Sequence, residues 1–232
     1  MIKEKKALII LHQRRSSVGR VGYKLKLRGY KLDIKKPALG EQLPNTMVNH
    51  DLVVIYGGSM SANDSHKNKF IRNEIAWIDV ALKSNKPFLG ICLGAQMLAK
   101  NLGGAVQSAS DKSSEIGFFD IIPSGMGTKI FQKQTTFFQW HNEGFIAPES
   151  CEILAKGTTF QQQAFKYKRA YGIQFHPEVN LRMHLTWLHF AAHKLRDIGA
   201  QSRLKQLNLR IKHGKNIDLW LDQFLDNYLL KQ

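Results

Sequence analysis

The chain has 232 residues, 43% of them hydrophobic, with 34 Lys and Arg against 18 Asp and Glu for a formal charge of +16. That length suits one large domain, or one domain with an appendage, around a real core. No apolar run approaches the ~20 residues needed to cross a bilayer as a helix, so no membrane-spanning helix is expected. The opening Met1-Ile2-Lys3-Glu4-Lys5-Lys6 leads into a short strand-like run, with no secretory apolar segment or cleavage site. Cys92 and Cys151 stand in unlike contexts and suggest no disulfide framework, so a reducing, cytoplasmic setting is expected. The charge is uneven: residues 1–40 hold twelve Lys and Arg against two Asp and Glu. One reading is an anionic partner such as RNA, a phosphorylated metabolite or an acidic protein. The other is a solvated basic face, favoured because the cations are interleaved with core positions and form no dense tract. Neither nucleic acid nor a membrane is therefore expected as a partner.

Residues 7–11 form an apolar run ending in the polar stretch His12-Gln13-Arg14-Arg15-Ser16-Ser17, as a buried strand does when it passes into a loop. A basic helical stretch over 18–28 leads to a second strand near 31–34. Residues 52–56 read as another buried strand, closed by Gly57-Gly58. Ile71, Ile75, Ile78 and Leu82 recur at helical spacing within 70–83. The run 87–91 is the next strand and 95–102 the next helix, stopped by Gly103-Gly104. Apolar strands alternating with helices predict an α/β fold, an open and mostly parallel sheet with flanking helices. From 118 to 174 the pattern changes to short β-like segments (118–122, 136–139, 152–156, 163–165, 170–175) separated by turn signals. These read as antiparallel additions that return to the main sheet at 170–175. Residues 181–195 are helical. Beyond the 1–195 domain, 196–232 reads as a helical C-terminal extension packed on it. There Ile217, Trp220, Leu221, Phe224, Leu225 and Tyr228 make an amphipathic stripe after an Asn216 cap.

Cys92 sits in Gly90-Ile91-Cys92-Leu93-Gly94-Ala95-Gln96, where an apolar strand gives way to a helical pattern. A nucleophile at such an elbow needs small neighbours, because the turn is strained and substrate must approach the backbone. Gly90 and Gly94 meet that need. At a helix N-terminus the dipole and free N–H groups favour the nucleophilic thiolate. The N–H of Leu93 then points into the site as one oxyanion donor. Gly57-Gly58 is the candidate for the second, since the C-terminal ends of parallel strands share one rim. A base must come from elsewhere in the chain, and His176 follows the strand-like Tyr171-Gly172-Ile173-Gln174-Phe175. Pro177 keeps His176 extended. Residues two apart in an extended chain face one side, so Glu178 can reach the imidazole, fix its tautomer and stabilise its charge. His189 and His193, four apart in a helical stretch, lack a third ligand signal, so neither metal nor cofactor is expected. Cys151 reads as structural.

The elbow segment, together with Tyr171-Gly172-Ile173-Gln174-Phe175-His176-Pro177-Glu178-Val179, resembles the class I (triad) glutamine amidotransferases. The resemblance covers roughly residues 6–195. Within that family the chain looks most like stand-alone members similar to the amidotransferase domain of GMP synthase. Glu115-Ile116-Gly117-Phe118 and Gln139-Trp140-His141-Asn142-Glu143-Gly144-Phe145 resemble intermediate motifs of that subgroup. The resemblance implies a flavodoxin-like sheet and a mechanism. Cys92 attacks the glutamine side-chain amide, the N–H groups of Leu93 and Gly58 hold the oxyanion, and His176 protonates the leaving ammonia. Water then hydrolyses the γ-glutamyl thioester. Gln96, and more weakly Gly57 and His141, would hold substrate. Two departures stand out. Ser59 occupies a position where many relatives have Pro, which leaves the glycine loop freer to move. Asn142-Glu143 replaces a frequent Gly-Asp, which puts the pocket's amino-acid preference in question.

No segment reads as an ATP-pyrophosphatase or synthetase domain, so the resemblance implies a separate synthetase or ammonia-acceptor protein. Two alternatives stay open. One is a hydrolase of γ-glutamyl peptides or amines with the same triad. The other is a non-catalytic basic binding protein on this fold.

Overall fold

The computed structural model describes residues 4–231. Its first half alternates β1 (Lys5–Ile10), α1 (Gly19–Leu27), β2 (Tyr30–Lys35), β3 (Leu52–Ile55), α2 (Lys69–Lys83), β4 (Phe88–Ile91) and α3 (Leu93–Asn101). Short elements follow: β5 (Ala105–Ser108), β6 (Glu115–Asp120), β7 (Ile122–Pro123), a single turn α4 (Gly127–Ile130), β8 (Thr136–His141), β9 (Glu143–Ile146), β10 (Glu152–Lys156), β11 (Ala164–Tyr167) and β12 (Ala170–Ile173). The chain ends in α5 (Leu181–Phe190) and α6 (Arg203–Phe224).

Eight strands make the main sheet in the order β2-β1-β3-β4-β12-β11-β10-β7. From β2 to β12 the neighbours are parallel; β11, β10 and β7 each join antiparallel to the strand before. This is the expected α/β architecture, with β12 returning beside β4. The expected additions divide, however: β6 pairs with β8, and β5 with β9, in two separate antiparallel ribbons. Strands β5 and β9 went unread because 105–108 alternates weakly and is largely exposed.

Side chains of a strand alternate between faces, and the core divides accordingly. Ala7, Ile9, Leu52, Val54, Leu89 and Ile91 face one buried cluster, shared with Val21 and Leu25 of α1 and with Ile217, Trp220, Leu221 and Phe224 of α6. Leu8, Ile10, Val53, Ile55 and Phe88 face the other, shared with Ile71, Ile78 and Ala81 of α2 and most of α3. Both faces are covered, which is why β3 and β4 are apolar at every position.

Two boundaries differ from expectation. Helix α5 stops at Phe190, and a 3-10 turn over Ala192–Arg196 follows. His193 therefore leaves the helix that carries His189, and the four-residue spacing no longer stacks the pair. Among the described residues no group of three His, Cys, Asp or Glu could hold a metal. Helix α6 begins far before Asn216. Ser202 caps it, its side chain accepting from the Lys205 N–H at 3.3 Å, and Asn216 lies mid-helix. The first half of α6 is too polar to display a stripe, and Gly214 argues locally against a helix; contacts with the domain override both. A Cβ at Gly214 would meet Arg210 Cδ at 3.6 Å and Arg20 Nη2 at 3.8 Å, ordinary contacts, so packing does not require the glycine.

Charge also ties α6 to α1. Arg20 and Lys24 on α1 and Arg28 at its C-terminal cap recur every four residues, as do Asp218 and Asp222 on α6 and Asp226 in the π-helical turn Leu225–Leu229 that follows it. Arg20 Nε meets Asp218 at 3.4 Å, Lys24 Nζ meets Asp218 at 3.1 Å and Asp222 at 2.6 Å, and Arg28 meets Asp222 at 2.9 Å and Asp226 at 2.7 Å. These three are a quarter of the cations that make residues 1–40 basic, and Lys6, Lys31 and Lys35 also pair within the fold. Beneath this ladder, Trp220 stacks between Phe131 (5.5 Å) and Phe224 (5.1 Å) and donates its indole N–H to the Ile130 carbonyl at 2.9 Å. Trp220→Ala should cost about 3–5 kcal/mol through the lost contacts and cavity, plus an unpaired carbonyl, measured as a lower urea midpoint. An unchanged midpoint would show that α6 adds nothing to the cooperative unit.

Candidate active site

The site lies where β1, β3, β4 and β12 end. Between β4 and α3 the backbone of Cys92 takes φ 50°, ψ −107°, in the region that disfavours side chains. Such a conformation costs of order 1–3 kcal/mol and persists where its surroundings over-determine it. Here the Cys92 N–H donates to the Ile173 carbonyl at 2.8 Å, and the first turn of α3 forms over the Cys92 carbonyl at 2.9 Å. The glycines are required by contact: a Cβ on Gly94 would lie 2.2 Å from the Ile55 carbonyl oxygen, and one on Gly90 2.6 Å from that of Gly94. Cys92 is 5% exposed.

His176 follows β12 by three residues, its N–H donating to the Phe138 carbonyl at 2.8 Å. Its Nδ1 meets Glu178 Oε1 at 2.8 Å, both side chains almost fully buried. Nε2 has no hydrogen-bond partner. Burial alone would lower the imidazole pKa, but Glu178 and the nearby Cys92 charge outweigh it and push it up to about 10. Gly57 lies against both reacting groups: a Cβ there would sit 2.9 Å from His176 Cε1 and 3.4 Å from Cys92 Cβ. Gly58 lies against Leu93 and His12 in the same way, at 2.9 and 3.1 Å. Cys92, His176, Glu178, Gly57, Gly58 and Leu93 therefore share one neighbourhood, assembled from three strand ends.

Gln96 and His141 are placed differently. Gln96 Nε2 donates to the Glu143 carbonyl at 2.9 Å, and His141 Nδ1 meets the same oxygen at 3.0 Å. The other nitrogen of His141 faces Gln139 Oε1 at 3.0 Å and Glu115 at 3.2 Å, in a network that Gln163 closes. Both side chains are spent on ordering the backbone at Glu143. Cys151 is buried in the second cluster as a free thiol, and burial pushes its pKa up.

Several residues with no signal of their own join the site. Gln174, fully buried, donates from Nε2 to Cys92 Sγ at 3.6 Å. Trp187 of α5 meets the His176 ring edge-on at 5.1 Å. Arg20 and Arg210 both feel the charge of Glu178. Arg210, from α6, lies between the rings of Phe118 and Phe138, 4.9 Å from each, and donates to the Val179 carbonyl at 2.8 Å. Burial, and then Arg20, lower its pKa to about 9 against the pull of Glu178. Gln174 lies within the histidine motif and Trp187 shortly after it, whereas Arg20 and Arg210 are far from it in sequence.

Residues 11–208 match the family described as glutamine amidotransferase class-I. The chain belongs to the class I glutamine amidotransferases. It is an enzyme of a glutamine-hydrolysing family. It is 25% identical over 213 residues to the glutamine amidotransferase-like protein YfeJ of Salmonella typhimurium, covering 88% of each chain. Over 174 residues it is 32% identical to one subunit of the glutamine-hydrolysing GMP synthase of Ignicoccus hospitalis, which covers 72% of this amidotransferase and 82% of that relative. A solved glutamine amidotransferase from Thermotoga maritima superposes with a TM-score of 0.88 at 28% identity, over 98% of this chain and 99% of that one. No helix among the described residues is long and apolar enough to cross a membrane.

The raised pKa of His176 has a pH signature. The fold favours imidazolium over the unfolded chain, so that stabilisation is complete below about pH 6.5 and is lost as pH rises through about 10. Glu178→Gln removes the first group opposing burial. The His176 midpoint in an NMR titration of labelled imidazole should then fall well below its wild-type value, and the loss of stability towards high pH should shrink. A midpoint still near 10 would remove Glu178 as its cause.

Proposed function

We propose that this amidotransferase hydrolyses the side-chain amide of glutamine through Cys92, His176 and Glu178, by way of a γ-glutamyl thioester, and releases ammonia for an acceptor on a separate protein. The observation that carries this reading is the meeting, on one rim, of a thiol on a strained elbow, an imidazole held by a buried carboxylate, and a glycine loop against both. Cys92 Sγ, its proton passed to His176, bonds to the amide carbon, and the carbonyl oxygen becomes an oxyanion held by the N–H groups of Leu93 and Gly58. His176 gives a proton to the amide nitrogen, the C–N bond breaks, and ammonia leaves. Water then passes a proton to the same imidazole and attacks the thioester; the C–S bond breaks, glutamate is released, and the thiolate and imidazolium are restored. The lack of a protein partner on Nε2 supports its role as the proton carrier. Glu178 orients the ring and balances its charge. Gln96 and His141 serve the substrate's amino-acid end through the Glu143 segment that both order, and Gly57 lines the pocket beside the thiol.

Relatives named as separate GMP synthase subunits support a distinct synthetase or acceptor as partner. Arg14 and Arg15, exposed in the loop after β1, are where an acidic partner would dock. A cytoplasmic setting fits two free, buried thiols. A second reading, hydrolysis of γ-glutamyl peptides or amines, draws on Trp187: its half-buried ring lies beside the imidazole that would protonate the leaving group, and suits a leaving group larger than ammonia.

Ammonia release from L-glutamine is the test, with Cys92→Ala alongside and a γ-glutamyl aromatic amine as parallel substrate. We expect hydrolysis of glutamine by the wild type, its loss by at least roughly 10³-fold in the variant, and a single glutamyl adduct on Cys92 in quenched samples. Turnover of the amine alone would move the assignment to the second reading. Silence on both substrates, alone and with an added acceptor enzyme, would sink both.

A further inference from the structure

Beneath the glycine loop lies a buried pair of ionisable side chains that the mechanism does not use. His12 follows the first strand, and Glu74 is on α2; both side chains are fully buried, and His12 Nε2 meets Glu74 Oε1 at 2.9 Å. The other imidazole nitrogen, Nδ1, meets the Gly57 carbonyl oxygen at 3.2 Å. The second oxygen of Glu74 has no hydrogen bond. Enclosing two charges with one oxygen unsatisfied is a poor way to stabilise a core, since an apolar pair of similar volume often does as well or better. What an apolar pair lacks is a donor aimed at Gly57.

We propose that His12 and Glu74 form a strut that orients the Gly57–Gly58 peptide, making both positioning residues for glutamine hydrolysis. The peptide is planar, with C=O and N–H on opposite sides. Holding the Gly57 oxygen towards His12 therefore turns the Gly58 N–H the other way. Gly57 itself lies against Cys92 and His176. Glu74 ensures that Nδ1 donates. A neutral ring with its proton on Nε2 would present a lone pair to the carbonyl, whereas the carboxylate favours the doubly protonated ring, a donor at each nitrogen. Burial works against that charge, but Glu74 and the Gly57 carbonyl outweigh it and leave the imidazole above its ordinary pKa. A second brace acts one residue on, where Gln13 Nε2 donates to Ser59 Oγ at 3.0 Å. Residues 12 and 13 thus hold the loop from outside, where a proline at 59 would stiffen it from within.

The inference rests on the assignment of the Gly58 N–H as an oxyanion donor, and its test separates the two. The probes are glutamine hydrolysis, affinity for glutamate γ-semialdehyde, whose thiohemiacetal with Cys92 carries the oxyanion, and alkylation of Cys92 by iodoacetamide, which forms none. Removing an oxyanion donor costs roughly 10²–10³-fold in kcat, and misaiming one costs less. In His12→Leu, which removes the donor to Gly57, we expect kcat to fall about 10- to 100-fold, KM to stay within about twofold, aldehyde affinity to fall by the same factor as kcat, and alkylation to be unchanged. The double variant His12→Leu with Glu74→Met removes both charges at similar volume. It should fold at least as stably as the wild type and show the same split, which keeps the test decisive if the single variant fails to fold. Wild-type kcat in the folded double variant, or alkylation falling in step with kcat, overturns the strut. A wild type unable to hydrolyse glutamine overturns the reading beneath it.

Discussion

The backbone of Cys92 is the constraint from which the site follows. A side-chain-bearing residue at φ 50°, ψ −107° persists where its surroundings fix it, and β4 provides that, lying between β3 and β12 in mid-sheet. The bond to the Ile173 carbonyl and the contact of Gly94 with Ile55 tie the elbow to both neighbours. Once the elbow is in place, its surroundings must be small. Gly90 and Gly94 admit the turn, and Gly57 admits the histidine. The glycines that flank the thiol are thus steric consequences of one strained residue.

A buried thiol alone has no chemistry; the charge around it does. His176 and Glu178 are enclosed together, and a buried pair of this kind adds little net stability for its desolvation. The fold surrounds it with compensation. Arg20 enters from α1 and Arg210 from α6, each in the field of Glu178. Helix α6 is therefore a wall of the charged interior as well as a cover for the apolar face. The α1–α6 ladder keeps Arg20 and Arg210 on the side of Glu178 by fixing the two helices against each other. Exposed ion pairs are weak singly, but three successive rungs define a register.

The parallel strands and the elbow were legible because each rests on a local pattern: apolar runs for strands, small residues around a cysteine, a proline after a histidine. Helix α6 was legible only in its second half, where Ile217 to Phe224 repeat at helical spacing; its first half is polar and interrupted by Gly214. The β5–β9 ribbon was obscured because β5 buries one residue in four. Glu74 was legible as a helix position but not as a partner of His12, since 62 residues separate them. The resemblance assigned Gln96 and His141 to substrate, but nothing local showed that both side chains meet at the Glu143 carbonyl. Spacing within one element survives translation into structure; pairing between elements depends on packing that no single stretch encodes.

The same contrast divides the labour within the site. The nucleophile is built into the sheet: its strand is fully buried, its amide is bonded to the adjacent strand, and its helix is apolar on nearly every side. The glycine loop lacks that embedding. Beyond Tyr56 it leaves the ladder, Ser59 is exposed, and side chains rather than strand neighbours reach it. Local stability follows buried contacts and protected hydrogen bonds, so substrate or a partner can act on this loop at far lower cost than on the thiol. An amidotransferase that works for a separate acceptor is best controlled where its structure is softest. In the reading proposed above, that place is the donor for the oxyanion, and the charges of His12 and Glu74 lie directly behind it.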